Sequence, residues 1–131
     1  MAQSTGTVLV VDDDHQVRSV LARLVRATGR KAIEAPDGMT AMKTLERLGS
    51  EVKCVLLDAV MPVIDGEETF RRIRKRSADL PVVVVSGFTG EKLIGVGVDG
   101  APPVFLSKPC ALSDIERALT EATEQLATPA S

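Results

Sequence analysis

Apolar positions along the chain follow two alternating periods. Thr7 to Val11 (TVLVV) is a short, β-branched, apolar run, the pattern of a strand buried on both faces. From Gln16 the spacing lengthens: Val17, Val20, Leu21, Leu24 and Val25 fall on one helical face, and Gly29 follows as a stop. Arg30 to Ala35 predicts a second, weaker strand, Pro36-Asp37-Gly38 a turn, and Met39, Met42, Leu45 and Leu48 a second helical stripe ending at Gly49. Lys53 to Leu57 (KCVLL) predicts a third strand, closed by Asp58. The loop from Val60 to Gly66 leads into a helix from about Glu67 to Arg76, with Phe70 and Ile73 inward. Pro81 opens a fourth strand, Val82 to Val85, which ends at Ser86-Gly87.

The stretch after it is less regular. Glu91 to Val98 has helical spacing in Leu93, Ile94 and Val98, but Gly95, Gly97 and Gly100 interrupt it. Each glycine costs about 1 kcal/mol in a helix, so the fourth helix is expected to be short or mobile. Val104 to Leu106 predicts a fifth strand, ending at Ser107-Lys108-Pro109. Ser113-Asp114-Ile115-Glu116 has the form of a capping box, with Ser113 as N-cap and Glu116 at N3. The helix it opens turns Ile115, Ala118, Leu119, Ala122 and Leu126 to the core. Residues 1–6 and 127–131 are expected to be disordered, and 7–126 to form one domain. Strand followed by helix, five times over, predicts an α/β fold with a parallel sheet covered by helices on both faces.

Composition narrows the function more than the fold. The 131 residues suit one core, and 44% apolar content fills it. A net charge of −2 argues against an electrostatic grip on nucleic acid. The absence of Trp and Tyr, with only three Phe, removes the aromatic platforms on which bases stack. The dense basic run Arg71-Arg72-Ile73-Arg74-Lys75-Arg76 reads as a solvated helix face. The apolar runs are strand-sized, so no membrane span is expected. Cys54 and Cys110 follow no metal spacing, and Cys54 sits in an apolar run as a small buried residue. No signal peptide is recognisable, and the expected setting is reduced and cytoplasmic.

The candidate chemistry stands at the strand ends. The first strand ends in Asp12-Asp13-Asp14, the third in Asp58, the fourth in Ser86 and the fifth in Lys108. In an open parallel sheet the C-terminal strand ends share one edge, where ligands bind. Carboxylates crowded there repel one another, and a hard divalent cation such as Mg²⁺, which takes oxygen ligands, relieves the repulsion. A carboxylate beside Mg²⁺ can attack phosphorus and form an aspartyl phosphate, while Lys108 and the Ser86 hydroxyl would steady the transferring oxygens. Each residue alone has a plainer reading. Asp12 to Asp14 could cap a helix, Asp58 and Ser86 could begin turns, and Lys108 could be surface charge. His15 could tune the pocket or sit on an exposed helix position.

With these residues in view, the chain resembles the receiver domain of two-component response regulators. VLVVDDD is similar to the family's first strand and acidic pair, LLDAVMPVIDG to its phosphorylation loop, VSG to its fourth-strand hydroxyl and FLSKP to its fifth-strand lysine. The resemblance runs from about residue 7 to residue 126. It implies a flavodoxin-like, doubly wound, five-stranded parallel sheet in the order 2-1-3-4-5 with five helices. It implies Asp58 as phosphoacceptor, and Mg²⁺ held by Asp12, Asp13, Asp58 and the backbone carbonyl of Val60. Ser86 and Lys108 then contact phosphate, Phe105 is the switch residue coupled to Ser86, and the Lys108–Pro109 bond is cis. The phosphoryl group would come from a histidine kinase or histidine phosphotransfer protein. Output would pass to a protein partner through the face of the fourth helix, fifth strand and fifth helix, without nucleic acid or membrane.

Two departures qualify the resemblance. Phe88 to Pro103 is rich in Gly and Pro and lacks the family's usual approach to the fifth strand. That looks more like receivers attached to hybrid kinases, although a stand-alone receiver fits too. Val60 and Phe88 are apolar where polar groups could orient an attacking water, which predicts slow self-dephosphorylation. Two other functions compete: a protein-interaction module that keeps the fold without phosphorylation, and a Mg²⁺-dependent phosphohydrolase using Asp12 and Asp14.

Overall fold

The computed structural model describes residues 6–61, 64–87 and 94–127. Five strands, β1 (Thr7–Val11), β2 (Lys31–Ala35), β3 (Val52–Asp58), β4 (Val82–Ser86) and β5 (Val104–Ser107), form one sheet in the order β2-β1-β3-β4-β5. All four pairings are parallel. This is the doubly wound order that the resemblance implied, with the switch point between β1 and β3. The described residues hold four α-helices: α1 (His15–Ala27), α2 (Gly38–Leu48), α3 (Gly66–Arg76) and α4 (Leu112–Ala127). A single 3₁₀ turn, Gly49–Glu51, links α2 to β3.

Strand alternation divides the core in two. Val8, Val10, Cys54, Leu56, Val83, Val85, Val104 and Leu106 face one side, where Leu21, Ala22 and Val25 of α1 and Ile115, Ala118, Leu119 and Ala122 of α4 cover them. Leu9, Val11, Val55, Leu57, Val82 and Val84 face the other side, under Ala41 and Leu45 of α2, Phe70 and Ile73 of α3, and Ile94. Successive strand residues point to opposite faces. A strand buried on both faces therefore needs helices on both sides, and that is what β1, β4 and β3 from Cys54 onward receive.

Three helices open on an aspartate. Asp14, Asp37 and Asp65 each accept backbone N–H bonds from the first turn of α1, α2 and α3, which satisfies donors that a helix start leaves unpaired. The expected turn at Pro36-Asp37-Gly38 is thus also a helix cap. At α4 the expected box shifts. The helix begins at Leu112, and Ile115 N–H bonds the carbonyl of Ala111 at 3.1 Å. The Asp114 carboxylate, not Glu116, reaches back to the Ala111 N–H, at 2.9 Å. Asp114 rather than Glu116 therefore occupies the third helical position, and Ser113 is already inside the helix.

Two further expectations need correction, and another lies partly outside the described residues. Val20 is 52% exposed and Met39 47%; the expected Leu21, Val25 and Leu45 are buried, and beside them Ala22, Ala41 and Thr44, which the apolar stripes did not include. The fifth helix, expected as fourth in order, is not present among the described residues: 94–97 form a turn with Gly95 and Gly97 at positive φ. Residues 91–93 of that expected helix lie outside the described residues, as do Phe88, residues 1–5 and 128–131, and the Leu126 side chain.

The second correction falls in the basic run of α3, where Arg74 is 6% exposed. Its Nε donates to Ala101 O at 2.8 Å, and its Nη1 to Leu80 O at 2.8 Å and Ser77 O at 3.2 Å. The guanidinium also lies 4.7 Å from the Phe70 ring centroid, a cation–π arrangement. Ala101 N–H bonds Ala78 O at 2.8 Å, so α3 is tied directly to the approach to β5. Gly100, at φ +103, lies where a Cβ would strike Ala78 O.

Candidate functional site

The C-terminal ends of β1 and β3 bring the acids together. Carboxylate oxygens of Asp12, Asp13 and Asp58 all lie within 4.8 Å of one another. Asp12 is 1% exposed and Asp58 6%, while Asp13 faces outward. Asp14, the fourth acid read from sequence, does not join them; its carboxylate caps α1 through Gln16 N–H at 2.9 Å and Val17 N–H at 3.1 Å. The capping alternative therefore holds for Asp14 alone.

Lys108 closes the site from β5. Its N–H bonds Ser86 O at 2.9 Å, continuing the β4–β5 ladder past the last strand residue. Its Nζ donates to Asp58 Oδ1 at 3.1 Å and stands 3.7 Å from Asp12 Oδ2. Asp12 Oδ1 accepts the N–H of Asp14 at 2.9 Å, but Oδ2 is buried without a hydrogen-bond partner. Buried carboxylate oxygens are almost always bonded, so Oδ2 could serve as a ligand to a cation.

The electrostatics follow from the crowding. Burial pushes the Asp58 carboxyl up and the Asp12 charge adds to it, while the Lys108 ammonium pulls it down. Burial likewise raises Asp12, against the Asp14 N–H and Lys108, which lower it. Burial disfavours the Lys108 ammonium, but the bonds to Asp58 and Asp12 outweigh it and hold the lysine above its ordinary value. One ammonium serves two buried carboxylates, which leaves the edge short of positive charge.

The loop after Asp58 is anchored by close backbone approach. Gly66 N–H bonds Ala59 O at 3.1 Å. A Cβ on Gly66 would lie 2.7 Å from the carbonyl oxygens of both Asp58 and Ala59, so only glycine lets α3 start this close to the site. Val60 N–H points to Asp58 Oδ1 at 3.5 Å, and Val60 itself is 58% exposed. Ser86 ends β4 and is 3% exposed. Register pairs Ser86 with Ser107 and Val84 with Phe105, so Ser86 and Phe105 lie on the same face of adjacent strands, two residues apart along them. Phe105 packs half-buried against the α2–α3 side of the core. The Lys108–Pro109 bond is cis.

Sequence reasoning passed over Arg18. Its Nη1 donates to Asp12 O at 2.9 Å, its Nε pairs with Glu34 Oε1 at 3.0 Å, and its Nη2 lies 3.1 Å from His15 Nδ1. His15 is exposed and engaged with Arg18. The available signal was position: side chains on a helix lean toward its N-terminus, so a long cation one turn into α1 falls back on the acidic turn.

Comparison with known proteins gives the family and the fold. The sequence model of the response regulator receiver domain matches residues 8–120. The chain is 33% identical over 121 residues to the sensor kinase CckA of Brucella abortus, covering 92% of this chain and 13% of that protein. It is 33% identical over 108 residues to the response regulator MprA of Mycobacterium sp. (strain KMS), covering 82% of this chain and 46% of that protein. Among solved structures, the receiver domain of the hybrid histidine kinase CckA superposes with a TM-score of 0.75 at 30% identity, covering 90% of this chain and 99% of that one. The chemotaxis protein CheY4 of Vibrio cholerae shares the fold, with a TM-score of 0.81 at 24% identity over 91% of this chain and 99% of that one. The chain belongs to the response regulator receiver family, a family of signalling domains of two-component systems. It spans less than half the length of these curated relatives.

Proposed function

We propose that this member of the receiver family is a phosphorelay switch that accepts a phosphoryl group on Asp58 from the phosphohistidine of a histidine kinase or phosphotransfer protein. The observation that carries the reading is the convergence of three carboxylates within 4.8 Å, with Lys108 3.1 Å from Asp58. The donor set fits Mg²⁺: it is all oxygen, two of its members are buried, and Asp12 Oδ2 lacks a partner. Asp12, Asp13, Asp58 and the Val60 carbonyl would hold the ion. When bound, it supplies the positive charge that the crowded carboxylates and an incoming phosphoryl group both require.

The protein's own groups then have separable tasks. An Asp58 carboxylate oxygen attacks phosphorus, the P–N bond to the donor imidazole breaks, and its electron pair returns to the ring, which takes up a proton. Lys108, already bonded to Asp58, neutralises charge on the phosphoryl oxygens. The Ser86 hydroxyl donates to one of those oxygens, and Phe105, on the same face, repacks in response. Output passes through β5, α4 and the Arg74-tied approach to β5.

Intact-mass measurement after incubation with acetyl phosphate, with and without Mg²⁺, tests the reading. A single phosphoryl adduct is expected on the wild type only with Mg²⁺, and none on Asp58→Asn. An adduct that persists in Asp58→Asn, or forms equally in chelator, would refute it.

A further inference from the structure

The geometry points to Arg18 as a positioning residue that sets the cation affinity of the acidic edge through the peptide between Asp12 and Asp13; this rests on the phosphoacceptor reading above. Arg18 stems from α1, yet its side chain is 13% exposed. The guanidinium engages groups from three elements: the Asp12 carbonyl at the end of β1, Glu34 in β2 and His15 in α1. The carbonyl it holds belongs to the peptide that joins two carboxylate residues of the cluster. Holding that peptide restricts ψ of Asp12 and φ of Asp13, the two backbone dihedrals that set the direction of one carboxylate relative to the other.

The other supports of this turn act elsewhere. Asp12 N–H bonds Ala35 O at 3.2 Å, which fixes the peptide before Asp12. Asp14 N–H bonds Asp12 Oδ1 at 2.9 Å, which fixes the side chain relative to the peptide after Asp13. Among the described contacts, Arg18 is what holds the Asp12 carbonyl itself. Glu34 adjoins Ala35, so the same guanidinium also steadies the strand end that receives the Asp12 N–H.

Charge and orientation pull in opposite directions here. A cation this close to the acids repels a second cation, and Glu34 offsets only part of that. If Arg18 acted by charge alone, removing it would tighten divalent binding. If it acts by holding the peptide, removing it loosens binding, and lysine cannot substitute, because an ammonium lacks the planar fork that reaches separated acceptors. Loss of a partner that orients ligands typically weakens metal binding 10–100-fold.

Mn²⁺ binding to the full chain, followed by the electron paramagnetic resonance signal of free Mn²⁺ with Mg²⁺ as competitor, separates the two. Arg18→Ala and Arg18→Lys are each expected to weaken binding about ten-fold. Their acetyl phosphate reaction should need correspondingly more Mg²⁺, while its rate at saturating Mg²⁺ falls by much less. Melting curves in chelator show that each variant is folded at the assay temperature, and the lysine variant carries the test if the alanine variant is not. Wild-type binding with unchanged or tighter binding in the variants would overturn the inference and leave the phosphoacceptor reading standing. Failure of the wild type to bind Mn²⁺ would overturn both.

Discussion

Asp12 shows at the scale of one residue what the site demands. It is 1% exposed, one carboxylate oxygen lacks a hydrogen bond, and the nearest cation is 3.7 Å away. Burial raises its pKa, and burial together with the Asp12 charge raises that of Asp58. A carboxyl raised in the folded state favours folding when protonated. That contribution is complete below the ordinary value of 3.8 and is lost as pH climbs through the raised values. At neutral pH without a divalent cation the two acids therefore weigh against the fold. Asp12→Asn is expected to raise the melting midpoint in chelator at pH 7 by about 3 °C, as roughly 1 kcal/mol does in a domain of this length. The gain should shrink at pH 3 and vanish when Mg²⁺ stabilises the wild type; an equal gain under all three conditions would show that charge crowding is not its cause. The acids and Lys108 were legible in the sequence because each terminates a strand. Arg18 and Arg74 were not, because an arginine looks the same in sequence whether it meets solvent or backbone carbonyls.

At the scale of elements, the site depends on how closely a helix can begin beside a strand end. Gly66 opens α3 against the Asp58–Ala59 peptide, and a Cβ there would sit 2.7 Å from two carbonyl oxygens. Gly66→Ala must push α3 outward or bend the loop, and overpacking of this kind costs about 2 kcal/mol. Chemical denaturation should show that loss, and Asp58 phosphorylation by acetyl phosphate should slow with it. Unchanged stability would mean that the loop yields freely. Which helical residues are buried was less legible. Val20 and Met39 fit an apolar stripe by spacing but lie outside, while Ala22, Ala41 and Thr44 are buried. Spacing defines a face only to within about a third of the helix circumference; contact with the sheet selects the line within it. In the connection from β4 to β5, the turn at residues 94–97 was legible as a poor site for a helix, because Gly95 and Gly97 disfavour one. The tie of this connection to α3 through Arg74 was not, since that bond joins residues 27 apart.

For the whole molecule, the two-sided core makes one prediction about access. Cys54 lies between the sheet and the α1–α4 layer at 1% exposure, and burial pushes its thiol up to about 12. Cys110 is half-buried near the surface. A thiol reagent at pH 7.5 should modify one cysteine in the native protein, and the second only on global unfolding, because reactivity belongs to the exposed thiolate. Rapid double labelling of folded protein would show that β3 opens locally. Among the described residues no helix is long and apolar enough to cross a membrane, which agrees with the strand-sized apolar runs.

The sequence by itself determined the α/β class, the five strands, and the acids, serine and lysine at their ends, because strand burial and strand termination are local properties written in residue type. The sheet order came from resemblance to a family, because parallel pairing joins segments far apart in the chain and leaves no local mark. Tertiary structure alone decided that Asp12 and Asp58 are buried together while Asp14 serves as a cap, and that Arg18 and Arg74 are tied to backbone carbonyls. Those outcomes depend on which groups the packed strand ends leave without water, and the chain acquires that property only when the layers close.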